Sequence, residues 1–211
     1  MSAKLSRPPL TNKDLAKLTA DEFARLKLTD DEKIRLREIN RERARQSAEQ
    51  AVQLRAEEKP IVADLRAIGC NVTSVWSSVK TSDRYSDAIP VLLKHLLLSY
   101  SDRTRGAVAR ALAAPAAKDA WPVLVEQYCK APHGIGLSAK SGLAAALAET
   151  VTDKVIGELI ALAKDRSHGS SRLLLLKGLR KSKAAAAKKA LEELASDPEL
   201  SKEIASWKKK K

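Results

Sequence analysis

The residues best placed to do chemistry in this chain are basic and regularly spaced. Arg105, Lys140 and Arg172 stand 35 and 32 positions apart. Each is followed three, six and seven residues later by apolar or small side chains: Val108, Ala111 and Leu112; Leu143, Ala146 and Leu147; Leu175, Gly178 and Leu179. A cation recurring at such intervals can bind phosphate or carboxylate groups of a partner, or it can hold a carboxylate or carbonyl of its own chain. Five residues after each come Arg110, Ala145 and Lys177, with Arg180 on the side of Lys177 and Arg103 at the start of the first copy. On helices these positions point away from the Val/Leu face. Arg103, Arg105, Arg110, Lys140, Arg172, Lys177 and Arg180 therefore make a candidate basic stripe for an anionic partner. Ala145 leaves its middle rung uncharged.

Other reactive residue types are sparse. Cys70 and Cys129 belong to no CxxC pair, and both are expected as small core residues. His95, His133 and His168 are scattered, with no HxxxH spacing, so no metal site is assigned. The HGIG stretch at 133–136 lacks the Lys-Ser/Thr ending of a phosphate-binding loop and is read as a turn. No catalytic residue and no cofactor is assigned.

Helices must position the cations. At 100° per residue, the third, sixth and seventh positions after each base fall on one face. The spacing predicts helices over 105–112, 140–147 and 172–179. A second motif precedes two of them, AIPVLL at 88–93 and AWPVLV at 120–125, offset by 32. KVIGELIAL at 154–162 takes the same place before the third. Residues 60–80 form a degenerate first pair (PIVADL, then VTSVW), and 183–207 a terminal one.

A basic residue followed seven positions later by Leu, with small residues between and a Pro-containing helix before it, resembles the HEAT repeat family of α-solenoids. The resemblance covers roughly 86–182, about three repeats. It implies a right-handed superhelix of stacked antiparallel helix pairs, with the second helices lining the concave side. It also implies that the base of each repeat commonly bonds an Asp or a carbonyl between repeats. The family serves mostly as binding scaffolds and specifies no partner. The physics agrees: one pair cannot bury its apolar face, whereas stacked neighbours make a continuous core.

Composition sets limits around this. The chain has 211 residues, 44% of them apolar, enough for a core, and 3% aromatic, so the core is built of Leu, Ala, Val and Ile. Eight Gly and eight Pro are too few for a turn-dense all-β fold. Three regions separate: a charged helical extension at 1–58, a repeat domain at 59–207 and a basic tail at 208–211. In the first, Thr19 with Glu22 and Thr29 with Glu32 read as capping boxes, and Thr11 with Asp14 as a weaker one. These predict helices at 12–18 and 20–28, then a long polar one from 30 to 58 stopped by Pro60. The first residues carry no apolar core, so no secretory leader is expected, and no apolar run approaches the ~20 residues a membrane span needs. The expected location is the cytoplasm. Leucines 173–176 and the tryptophans Trp76, Trp121 and Trp207 are expected to pack.

The net charge of +13 favours anionic partners without choosing among them. Two functions follow. The first is a non-enzymatic interaction scaffold for another protein, with an acidic one compatible with the charge. The alternative is a nucleic-acid-binding HEAT-like protein resembling the HEAT-like DNA glycosylases, which hold damaged duplexes in a basic concave groove. Such an enzyme needs a carboxylate in the groove, and the middles of the second helices carry no Asp or Glu. Nucleic-acid binding by the stripe is expected to be weak and salt-sensitive, with few aromatics for base stacking.

Overall fold

The computed structural model describes residues 7–76, 84–132 and 138–208, apart from the side chains of 20, 23, 24 and 208. The HGIG loop and most of the Lys tail lie outside the described residues. All regular structure among them is helical: α1 (Asn12–Leu15), α2 (Ala20–Arg25), α3 (Asp30–Ala67), α4 (Tyr85–Leu96), α5 (Asp102–Ala111), α6 (Trp121–Lys130), α7 (Ser138–Thr150), α8 (Ile156–Lys164), α9 (Arg172–Lys181), α10 (Ala185–Leu194) and α11 (Ser201–Lys208). Short 3-10 turns, Pro115–Ala120 and Arg166–Ser171, lead into α6 and α9. The chain forms two compact units, Met1–Gln53 and Leu54–Lys211.

In the first unit, capping sets the helix starts. Thr11 and Thr19 accept from the backbone N–H of Asp14 and Glu22, and those carboxylates accept in return from the threonine backbone. Thr29 and Glu32 exchange the same two bonds. Both short helices end three residues before the expected limits. Glu32 does more than cap. It is buried and also accepts from Arg7 (2.9 and 2.6 Å) and from the backbone N–H of Leu10 (2.9 Å). Arg35 donates to the Leu10 carbonyl and Arg43 to that of Ala16, while Leu15 and Leu28 supply the buried apolar contacts.

Pro60 does not stop α3, which runs on to Ala67. An interior proline forfeits a hydrogen bond and costs about 3 kcal/mol. Burial of Ile61, Val62 and Leu65 on the next turns offsets that cost. The helix ends instead at Gly69, whose φ of +88° lets the Gly69 N–H reach the Arg66 carbonyl and the Cys70 N–H that of Leu65. Beyond it, residues 70–76 form turns, so the expected helix at VTSVW is absent, although Val72 and Val75 still enter the core.

Apart from VTSVW, each helix expected from the repeat in the second unit forms, with bounds shifted by a few residues. Val108, Leu112, Leu143, Leu147, Leu175 and Leu179 are all buried, as are Ala111, Ala146 and Gly178 at the sixth positions. α5 packs on α7 and α7 on α9; α4 packs on α5, α6 on α7, and both α8 and α10 on α9. The α5–α7 crossing is close. A Cβ added at Gly142 would lie 2.5 Å from the Gly106 carbonyl oxygen. Caps tie neighbours together: Glu57 accepts from Ser101 and Thr104 at the start of α5, and Asp102 accepts from the Ser138 and Ala139 N–H groups that open α7.

Candidate binding surface

The seven cations of the expected stripe do not share one role. The three that open the repeat motifs turn into their own chain. The Arg105 guanidinium donates to the Gln127 side chain of α6 at 3.0 Å. Lys140 is buried; its ammonium donates to the Ala131 carbonyl at 2.9 Å and sits 4.7 Å above the Tyr128 ring, and burial lowers its pKa. Arg172, 0% exposed, donates to the Gly169 and Ala163 carbonyls, to both oxygens of Asp197 (3.1 and 3.4 Å) and to Glu199 (2.5 Å). Burial opposes its charge, but the hydrogen bonds it donates to Asp197 and Glu199, with their negative charges, outweigh that and raise its pKa. Lys140 and Arg172 are thus corrected out of any accessible stripe. Lys140 and Arg172, at the first turns of α7 and α9, face the ends of the preceding helices, where an unpaired charge would be costly, and they take carbonyls and carboxylates as partners.

Of the remaining four, Lys177 is exposed but paired with Glu149 at 2.9 Å, and Lys181 bonds the same carboxylate. Burial pushes the Glu149 pKa up, yet the two ammonium groups together hold it below the ordinary value. Arg180 is exposed, with its guanidinium 4.8 Å from the Trp207 ring centre. Arg103 is exposed and Arg110 half-buried, and neither makes an ion pair among the described residues. Of the seven, Arg103 and Arg110 on α5 and Arg180 on α9 stay open to an anion, on two helices that each pack against α7.

Charge spacing alone could not reveal Glu149, Asp197 and Glu199, because their partners lie 25 to 32 residues away. A cleft of about 440 Å³ lies where α7 and α9 end, lined among others by Glu149, Thr152, Asp153, Lys181 and Lys183. Its carboxylates and ammoniums balance, so it selects neither sign of ligand.

Other expectations change as well. Cys70 is buried, but Cys129 is exposed, because the inward face of α6 is Trp121, Leu124 and Tyr128. Neither cysteine is bridged. Trp121 is buried and donates to Glu158, whereas Trp76 is 51% exposed. Leu175 and Leu176 are buried, and Leu173 and Leu174 pack half-buried against the core. His95 lies between the Tyr100 hydroxyl (2.9 Å) and Asp64 (3.1 Å); the ring of His168 packs on Tyr128. Among the described residues, no group of three or more His, Cys, Asp or Glu side chains is placed to hold a metal ion, and no helix is long and apolar enough to cross a membrane.

No protein-family model, no curated protein and no solved structure matches the chain.

Proposed function

We propose that residues 59–207 act as a non-enzymatic interaction scaffold, a HEAT-like solenoid of stacked antiparallel pairs that engages another protein through its second-helix face. The observation that carries this is that Arg105, Lys140 and Arg172 are all engaged inside the chain: Arg105 by the Gln127 side chain on the following α6, Lys140 by the Ala131 carbonyl at the end of α6, and Arg172 by the Ala163 carbonyl on α8 and by Asp197 after α10. The Lys140 and Arg172 bonds are of the Asp-or-carbonyl kind that the resemblance implies. Successive contacts of α5 with α7 and α7 with α9 support the same arrangement. With the motif cations consumed internally, the helices are left to present a surface. The partner is an acidic protein segment meeting Arg103, Arg110 and Arg180. The unbridged cysteines suit a reducing cytoplasm.

A nucleic-acid groove draws less support, because Lys140 and Arg172 are buried and Lys177 is neutralised by Glu149. The test is affinity capture from native lysate with and without nuclease, beside anisotropy titrations of two unrelated duplexes at two salt concentrations. The expected result is a nuclease-resistant protein partner lost in Arg103→Glu/Arg110→Glu and kept in Lys154→Glu, with duplex binding weak and falling steeply with salt. Tight, salt-resistant binding of one duplex alone would overturn the scaffold in favour of the nucleic-acid alternative.

A further inference from the structure

The first unit carries a surface that the repeat domain does not explain. Where α2 gives way to α3, a pocket of about 640 Å³ opens on the protein surface. Its apolar lining is Leu26, Leu28 and Leu36, and Lys27, Lys33 and Arg37 surround it. The first two leucines belong to the link between the helices. Leu36 lies in the second turn of α3, with Lys33 three residues before it on the same side and Arg37 the i+4 neighbour of Lys33; all three line the pocket. The capping of Thr29 by Glu32 fixes this geometry, because it sets where α3 begins and so which residues face the link.

The local charges determine what can enter. The carboxylates at the start of α3 are already engaged: Glu32 by Arg7, Asp31 by Arg35 and Asp30 by Lys33. Lys27 and Arg37 are exposed and make no ion pair among the described residues. The rim therefore keeps a positive excess around a leucine floor. Such a site is complementary to carboxylates carried beside aliphatic side chains. A phosphate backbone would meet the cations but leave the leucines unused, and no aromatic ring is among the described residues that line the pocket.

We propose that this pocket docks an acidic amphipathic helix of a partner protein, whose aliphatic side chains cover Leu26, Leu28 and Leu36 while its Glu or Asp residues face Lys27 and Arg37. It is a second contact, separate from the second-helix face proposed above for the repeat domain. Helix-in-groove recognition reads apolar residues at i, i+3, i+4 and i+7, and the charges flanking them set specificity.

The test uses the full-length protein and a labelled helical peptide with Leu at i, i+3, i+4 and i+7 and Glu at the flanking positions. Fluorescence anisotropy should show saturable binding, weakened about tenfold or more when the peptide's leucines become Ser or its glutamates become Gln. Lys27→Glu/Arg37→Glu should weaken the acidic peptide by about tenfold and favour a peptide with Lys in place of Glu, a reversal that a merely unfolded variant cannot produce. Arg103→Glu/Arg110→Glu should leave peptide binding unchanged, which separates this pocket from the surface on α5. Absence of saturable binding, no dependence on peptide charge, or a DNA duplex displacing the peptide through Lys27 and Arg37 would overturn the proposal.

Discussion

Arg172 and Asp197 meet inside the second unit, the guanidinium reaching both carboxylate oxygens at 3.1 and 3.4 Å. The pair joins the first turn of α9 to the bend that follows α10. Asp197 also accepts from Arg166 at the surface, and its carboxyl is held below the usual value mainly by the hydrogen bond from Arg172. Removing Asp197 leaves the buried Arg172 only Glu199 and two carbonyls, and removing Arg172 leaves Asp197 only the exposed Arg166. Asp197→Ala should destabilise by about 3–5 kcal/mol in urea unfolding. Glu199→Ala, which removes a more exposed partner, should cost about 1 kcal/mol or less. The double variant Arg172→Met/Asp197→Leu should be more stable than Asp197→Ala. If Asp197→Ala unfolds with the parent, the pair is not a structural tie.

The Glu32 carboxylate, bonded by Arg7, Leu10 and Thr29, has its pKa lowered from 4.5 to about 2, with Arg7 the largest cause. The folded value lies below the unfolded one, so its contribution is complete above pH 4.5 and is lost as pH falls towards about 2. Hydrogen exchange at the Leu10 amide, corrected for its intrinsic rate, should accelerate across that window. In Glu32→Gln the amide should be exposed already at neutral pH and show little further change. The same acid dependence in both proteins would remove Glu32 as the cause.

Gly142 tests the α5–α7 crossing. Alanine is the better helix former by about 1 kcal/mol, yet at Gly142 its Cβ would meet the Gly106 carbonyl oxygen at 2.5 Å and Ala109 Cβ at 3.1 Å. Both helices must separate, so Gly142→Ala should be net destabilising by about 1–3 kcal/mol. At Gly157 in α8 nothing lies within 4 Å, and Gly157→Ala should be neutral or stabilising. Equal melting temperatures for the two variants would contradict the crossing.

Burial pushes the phenols of Tyr85 and Tyr128 from 10.0 up to about 12. Tyr85 donates to the Ala111 carbonyl at 2.9 Å, and Tyr128 shares a hydrogen bond with Ser171 at 2.8 Å. Because the folded value exceeds the unfolded one, these two groups contribute stability below pH 10 that is lost as pH rises towards 12. An ultraviolet titration should show their ionisation near 12, with Tyr85→Phe and Tyr128→Phe each removing one step. Titration of both near 10 in the folded protein would show that they are not buried as described.

Local patterns in the sequence were enough to place most helices. Thr11, Thr19 and Thr29 mark their starts because a capping box is complete within four residues, and the three base-to-Leu motifs mark α5, α7 and α9 because helical periodicity is read over two turns. The end of α3 was less legible. Pro60 is a stop signal in isolation, and it was overridden by the buried residues after it, with Gly69 setting the real limit.

The candidate surface depended on tertiary structure almost entirely. Sequence alone established that the chain is rich in cations and that three of them recur with the repeat; it could not say which face the solvent. Lys140 and Arg172 are buried, Lys177 is cancelled by Glu149, and Arg103 remains open. Periodicity is a property of neighbours along the chain, whereas the availability of a charge depends on which carboxylates and carbonyls folding brings within about 3–4 Å of it, and these come from segments tens of residues away.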